Sequence, residues 1–330
     1  MLRGAVIGCG FFASNHLNAW NEIEGAEIVA VCDLDSEKAR WPGATSYTDA
    51  ETMLAREKLD FVDIITTVES HRTLVEMAAR HGVPAICQKP FALDLADGEA
   101  MVEACAEVGV PLMVHENFRW QSPIMAVKRV IESGRIGTPT YARIQFRHAY
   151  DIYTNQPYLR TEPRLAIMDL GIHLLDVARD LLGEVSRLHC RRQKINPEVA
   201  GEDCVTITLD HENGAVSLVD FSFSTVLTPD PFPQTLIRVE GGRGTVELLA
   251  DYRLRISGAG PTEEKDVEPK VPSWGAKPWH NIQESVVNIQ RHWVECLRDK
   301  REPATSGADN LKTLDLVFRA YDSAADRRAL

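Results

Sequence analysis

The chain has 330 residues, more than a single hydrophobic core usually organises, so two domains are expected. With 48 acidic against 36 basic residues the formal charge is −12, which argues against nucleic acid or an anionic membrane as partner. The 44% hydrophobic and 25% charged content is that of an ordinary globular protein, and no run approaches the roughly 20 apolar residues of a membrane span.

Short apolar runs alternate with amphipathic stretches over the first part of the chain, the pattern of βαβ units around a parallel sheet. Strands are expected at Gly4–Ile7, Ile28–Cys32, Phe61–Thr66, Ala85–Cys87 and Leu112–Val114, rich in Val and Ile without polar alternation. The first begins so near Met1 that no signal segment is expected before it. Helices are expected between the strands, one from near Ser70 and one from near Asp94. After Arg119 the pattern changes. Ser122-Pro123 opens a helix running to Gly134, a strand follows at Tyr141–Arg147, and an irregular segment extends through Pro163. A helix over Ala166–Leu182 stops at Gly183. Asn213-Gly214 marks a hairpin between Val205–Leu209 and Ala215–Phe223, and Gly241 to Gly244 turns Ile237–Val239 into Thr245–Leu248. Helices at Ile282–Arg298 and Ala308–Asp326 complete the chain. The expected fold class is α/β: an N-terminal Rossmann dinucleotide-binding domain over residues 1–120, then a C-terminal α+β domain over 121–330 with a large, mostly antiparallel sheet.

The seven cysteines (Cys9, Cys32, Cys87, Cys105, Cys190, Cys204 and Cys296) stand singly, with no C-x-x-C. Neither a disulfide framework nor a zinc site is suggested, and a reducing compartment, the cytoplasm, is expected.

Gly8-Cys9-Gly10-Phe11-Phe12-Ala13 fits G-x-G-x-x-G/A between a strand and a helix. The first glycine permits the tight turn, the second lets the backbone approach a pyrophosphate, and the small last residue allows close helix–strand packing. Asp33 ends the second strand at the interval expected of an acid that binds the ribose hydroxyls. Its carboxylate would repel a 2′-phosphate, and Asp33-Leu34-Asp35 offers no adjacent cation, so NAD is favoured over NADP.

Gln88-Lys89-Pro90 follows the fourth expected strand, at the carboxyl edge where open α/β sheets bind ligands. By position alone, Lys89 fits a catalytic cation and a surface lysine equally well. Asp169 and His173 are four residues apart on the Ala166–Leu182 helix and share a face, beside an apolar stripe of Leu170, Leu174, Val177 and Leu181. Without further information a solvated surface pair explains them better than a catalytic one.

The fingerprint at Gly8, the Lys-Pro after the fourth strand, and D-x-G-x-H followed by Leu-Leu-Asp resemble, in order and spacing over essentially the whole chain, the glucose–fructose oxidoreductase / inositol dehydrogenase (Gfo/Idh/MocA) family. The resemblance implies a Rossmann domain followed by a mostly antiparallel sheet whose open face builds homodimers or homotetramers. It implies that His173 takes the proton of a substrate hydroxyl while hydride passes from the same carbon to NAD. Lys89 would stabilise the developing alkoxide, and Asp169 would bind a neighbouring hydroxyl or orient the substrate. Two departures stand out: Gln88 replaces the family's usual Glu, and Arg164-Leu165-Ala166 replaces its glycines before the Asp.

Thr66, Thr67 and His71 correspond to the family's cofactor-contacting loop, and Phe11, Phe12, Gln88 and Asn117 are further cofactor candidates. Arg119, Trp120, His148 and Tyr153 are candidate substrate residues, with Tyr150 and Arg160 in the same pocket wall; Trp279-His280 is read as lying outside the site. A mixed lining without a basic cluster points to a small, neutral, hydroxyl-rich substrate. Aldose oxidation to a lactone is favoured over inositol-type ring oxidation, and His115–Trp120 is similar to the segment in members acting on aldoses such as D-apiose. A hydrolase or lyase using NAD transiently, or a non-catalytic dinucleotide sensor, are the competing classes; the sensor would be expected to lack Lys89 or His173.

Overall fold

The computed structural model describes residues 1–326, which form two compact units. One comprises Met1–Asn117 with Ser285–Leu314, the other Phe118–Glu284 with the chain from Asp315 on. The segment that a cut at residue 120 assigns to the second domain thus includes residues 285–314 of the first unit.

The first unit runs β1 (Leu2–Ile7), α1 (Ala13–Trp20), β2 (Ala26–Cys32), β3 (Thr45–Tyr47), α2 (Ala50–Arg56), β4 (Phe61–Ile64), α3 (His71–Arg80), β5 (Ala85–Gln88), α4 (Leu95–Val108) and β6 (Leu112–His115). Its six strands are all parallel, in the order β3-β2-β1-β4-β5-β6. That order reverses between β1 and β4, and ligands bind beyond the carboxyl ends of strands at such a switch. Every residue of β4, β5 and β6 is buried, including the polar Asp63, Gln88 and His115, as expected of central strands covered on both faces. Edge strand β3 reads Thr-Ser-Tyr with no buried residue, which is why no apolar run announces it. Asp94 caps α4 by accepting from Asp97 N–H at 2.8 Å, and Gly109 ends it in the left-handed region. The edge of β6 is covered by the returning chain: Val114 N–H donates to the Thr305 carbonyl and Thr305 Oγ1 donates to the Val114 carbonyl, both at 2.8 Å.

The second unit contains α5 (Ser122–Glu132), β7 (Pro139–Arg147), α6 (Ile172–Leu182), β8 (Val185–Gln193), β9 (Cys204–His211), β10 (Val216–Ser222), β11 (Leu236–Gly241), β12 (Gly244–Leu249), β13 (Arg253–Gly258) and β14 (Glu263–Asp266). Helices α7 (His280–Asp299) and α8 (Gly307–Ala325) each contribute residues to both units. The eight strands are ordered β14-β13-β12-β11-β7-β10-β9-β8, antiparallel except for β7 and β10. Helices α5 and α6 pack on this sheet. On the sheet itself Asp220 gathers Arg143 Nε at 3.0 Å, Gln145 Nε2 at 3.2 Å and Arg147 at 3.4 Å, a charged ladder across β7 and β10.

The expected helix over Ala166–Leu182 is two pieces, a π-helical turn at Ile167–Gly171 leading into α6. Gly171 lets this backbone lie against β10, since a Cβ there would stand 2.7 Å from the Phe221 ring.

The β11–β12 turn is set by steric room. A Cβ on Gly241 would stand 2.3 Å from the backbone oxygen of Ile136, whereas one on Gly242 would meet nothing within 4 Å. Gly241→Ala is therefore expected to cost about 2 kcal/mol and Gly242→Ala less than about 0.5 kcal/mol, read as paired thermal-unfolding midpoints. Equal midpoints for the two variants would refute this account of the turn.

Candidate active site

In the first unit the turn after β1 carries the fingerprint. Gly8 has φ +93°, and a Cβ on it would lie 2.8 Å from the Ile65 carbonyl carbon and from Thr66 Cγ2, so the turn packs directly on the end of β4. Gly10 has nothing within 4 Å of its missing Cβ, which leaves its backbone open to approach, and Ala13 is buried at the start of α1. Phe12 precedes the helix and Phe11 is exposed. Asp33 accepts from the N–H of Cys9 at 2.8 Å through one oxygen and from that of Asp35 at 2.9 Å through the other. An open glycine, a helix N-terminus and an oriented carboxylate are the features a dinucleotide needs, and these residues fit one.

The loop after β4 is tied to its neighbours. Ser70 Oγ donates to Thr66 Oγ1 at 2.7 Å and Thr67 is exposed. His71 is buried with its ring nitrogens 3.2 Å from the carbonyls of Phe91 and Thr66, and burial holds its pKa below the usual value. A neutral ring donates through one nitrogen only, so one of these contacts carries the hydrogen bond. The His71 ring thus lies between the Thr66 loop and the segment after Lys89-Pro90. Gln88 is buried and turned inward, and Lys89 is half-buried at the end of β5. Asn117 is buried and donates to Ser285 Oγ at 2.6 Å.

In the second unit Asp169 is half-buried on the π-helical turn and His173 is buried in the first turn of α6. The His173 imidazole stacks on Phe118, with ring centres 4.0 Å apart and planes within 4°. Arg119 beside it turns its guanidinium onto Asp176, the Asp of Leu-Leu-Asp, with Nε 2.6 Å from the carboxylate, and its NH1 lies 3.6 Å from Asp180. That fork is already engaged by a fully buried acid, so Arg119 is held as an anchor of α6. Trp120 is half-buried on the same turn.

His148 is enclosed by Phe146, Phe223 and Phe232, with ring centres 5.4, 5.5 and 4.9 Å away. Burial lowers its pKa from the usual 6.5 to about 4. Tyr150 stacks on Phe232 at 4.2 Å and Trp279 meets Phe232 at 5.1 Å, so Trp279 joins this aromatic cluster. Tyr153 is buried with Arg160 4.7 Å above its ring. Arg164 lies over Phe318 and Tyr321, while Leu165 and Ala166 are fully buried. Leu165 fits because Gly201 faces it, where a Cβ would come within 2.8 Å of the Leu165 Cβ. Sequence reading missed Phe118 as the partner of His173 and Asp176 as the partner of Arg119. The available signal was the adjacency of Phe118 and Arg119, set against the i, i+3 spacing of His173 and Asp176.

Residues 2–116 match the family model described as the Gfo/Idh/MocA oxidoreductase family, NAD-binding Rossmann fold, and residues 124–247 match the Gfo/Idh/MocA C-terminal domain. A D-apiose dehydrogenase of Rhizobium rhizogenes is 52% identical over 100% of this chain and 97% of its own length. A D-apiose dehydrogenase of Paraburkholderia graminis is 54% identical, covering 99% of this chain and 89% of its own. The crystal structure of an Agrobacterium radiobacter oxidoreductase in complex with NAD+, L-tartaric acid and magnesium superposes with a TM-score of 0.97 at 52% identity, covering 99% of this chain and 97% of that one. With both of its domains matched in order, the chain belongs to the Gfo/Idh/MocA family of oxidoreductases.

Proposed function

We propose that this protein is an NAD-dependent sugar dehydrogenase that oxidises a hydroxyl of D-apiose. The observation that carries the substrate is whole-length identity of 52% and 54% to two relatives named D-apiose dehydrogenase. The oriented Asp33 and the open backbone at Gly10 support NAD as cofactor. Bound NAD supplies the hydride acceptor. In this reading Thr66, Thr67, His71 and Asn117 border the nicotinamide side, and Lys89 holds the substrate oxygen and offsets the negative charge that develops on it. His173 receives the hydroxyl proton, its ring plane held by Phe118, and Asp169 orients a neighbouring hydroxyl. His148 is poorly suited to that proton transfer, because a conjugate acid with a pKa of about 4 makes a weak base at neutral pH.

We also propose a homodimer or homotetramer formed through the open face of the eight-stranded sheet, as the family resemblance implies. Among the described residues no helix is long and apolar enough to cross a membrane. All seven cysteines are free, and burial pushes the Cys9 and Cys190 thiols up to about 12, which keeps them protonated and unreactive at neutral pH.

The substrate assignment is tested by NADH absorbance with D-apiose, other aldoses and inositols. D-apiose is expected to give the highest kcat/KM, and sustained turnover only with another sugar would reject it. Lys89→Ala is expected to lower kcat by at least about 10³-fold while NAD binds within about twofold of wild type; near-normal turnover would remove Lys89 from the mechanism. Asp33→Ala should weaken NAD by about tenfold and narrow the NAD/NADP ratio, and an unchanged ratio would take Asp33 off the ribose. His148 makes the fold acid-sensitive. Its folded pKa lies below the unfolded one, so the unfolded chain binds more protons and stability falls as pH drops from 6.5 towards about 4. Denaturant titrations across that window should show a smaller loss for His148→Phe than for wild type.

A further inference from the structure

Gln88, directly before Lys89, accepts a 2.7 Å hydrogen bond from the Lys89 backbone N–H through Oε1. That N–H can only donate, which settles the orientation of the amide, and Gln88 Nε2 is the atom 3.1 Å from His16 Nε2. An amide NH2 also only donates, so His16 Nε2 must be an unprotonated acceptor. The imidazole proton is then on Nδ1, which donates to Asp63 Oδ2 at 2.8 Å. The far end is anchored too, because Trp20 Nε1, another obligate donor, reaches the same Oδ2 at 2.8 Å. His16 and Asp63 are fully buried, and the His16 ring lies 4.1 Å from that of His115 and 5.5 Å from that of Phe12. Gln290 from α7 approaches the His16 carbonyl at 3.4 Å and Asp63 Oδ2 at 3.5 Å.

We propose that the line Asp63–His16–Gln88 is a positioning device for Lys89, and that Gln88, being an amide, holds His16 in its neutral Nδ1–H form. The proposal rests on the reading of Lys89 as the catalytic cation, through which these three residues act. The amide matters because a carboxylate at position 88 would accept from both sides. It would take the Lys89 N–H and would also favour a proton on His16 Nε2, leaving an imidazolium between two carboxylates. An apolar residue at 88 would remove the Gln88 acceptor from the Lys89 N–H and the Gln88 donor from His16 Nε2, and with them the link between the buried histidine and the backbone of the cation.

Nitrogen NMR of protein carrying isotope-labelled histidine reads the line directly. In wild type His16 is expected to show a protonated Nδ1 and a bare Nε2; in Gln88→Glu both nitrogens should be protonated. A wild-type ring protonated at Nε2, or a Gln88→Glu ring unchanged from wild type, would overturn the proposal. In kinetics, Gln88→Leu should lower kcat by about tenfold while leaving NAD affinity within about twofold, and Gln88→Glu, which keeps an acceptor for the Lys89 N–H, should recover most of that loss. In a Lys89→Ala background, Gln88→Leu should change the residual rate by less than about twofold, and independent, multiplicative losses would overturn the positioning role. If Lys89→Ala stays active while His16 keeps the expected protonation pattern, the reading of Lys89 fails and the hydrogen-bonded line stands.

Discussion

A carboxylate inside a parallel sheet is costly to bury unless donors converge on it, and Asp63 on β4 is fully buried. Its Oδ2 accepts from His16 and Trp20, which sit four residues apart on the inward face of α1. The rotation of α1 about its axis is therefore fixed by a charge in the neighbouring strand. The same helix begins just after the turn that holds Gly8 and Gly10, so the acid that fixes α1 at His16 and Trp20 also fixes where that turn is carried. Gly8 completes the constraint, because only a glycine can carry φ +93° this close to Ile65 and Thr66. Helix α7 adds Gln290 to the same acid, which gives residues 285–314 a polar reason, besides the buried Trp293, to belong to the first unit.

The second unit uses an equivalent device on α6. Phe118 and Arg119 are adjacent in the chain, and His173 and Asp176 are adjacent on the helix face. One pair stacks and the other forms a charged fork, so two consecutive residues clamp one helix at two points. Removing the arginine alone would take the charged fork away from a fully buried carboxylate, a larger penalty than the pair's net worth. From the other side Gly171 admits the Phe221 ring, and the π-helical turn carrying Asp169 is held between these contacts. Such turns often occur where a helix is shaped for function, and here one overlaps the first three residues of D-x-G-x-H.

Much of this was legible in the sequence because it rests on local rules. Apolar runs announced the buried strands, Asn213-Gly214 the β9–β10 turn, and the fingerprint with Asp33 the dinucleotide turn. Features that depend on partners distant in sequence were not legible. The polar strand β3 pairs by edge hydrogen bonds without burying a side chain. The engagement of Arg119 depends on an acid 57 residues away, and the inward turn of Gln88 on a histidine 72 residues away. Periodicity cannot distinguish a π-helical turn from an α-helical one over five residues, because the apolar pattern is nearly the same. One clue was available in principle: an aspartate inside the apolar run Phe-Val-Asp-Ile-Ile has to be paired once that run is buried, and it is.

In the proposed reading, a preference for NAD over NADP would follow from immobility as much as from charge. A carboxylate on a flexible side chain could swing aside and let a 2′-phosphate in. Asp33 cannot do so cheaply, since one oxygen is held by the Cys9 N–H of the glycine turn and the other by the Asp35 N–H two residues on. Each oxygen keeps a lone pair, which in that reading serves a ribose hydroxyl, and the glycine turn proposed to receive the pyrophosphate is itself one of the groups that aims the acid. Admitting a 2′-phosphate would mean either facing that carboxylate directly or breaking a hydrogen bond that orders the phosphate-binding turn. A cation introduced nearby would relieve only the first of these costs. Reversal of cofactor preference therefore calls for replacing Asp33 together with the support its side chain gives to Cys9, rather than neutralising its charge alone.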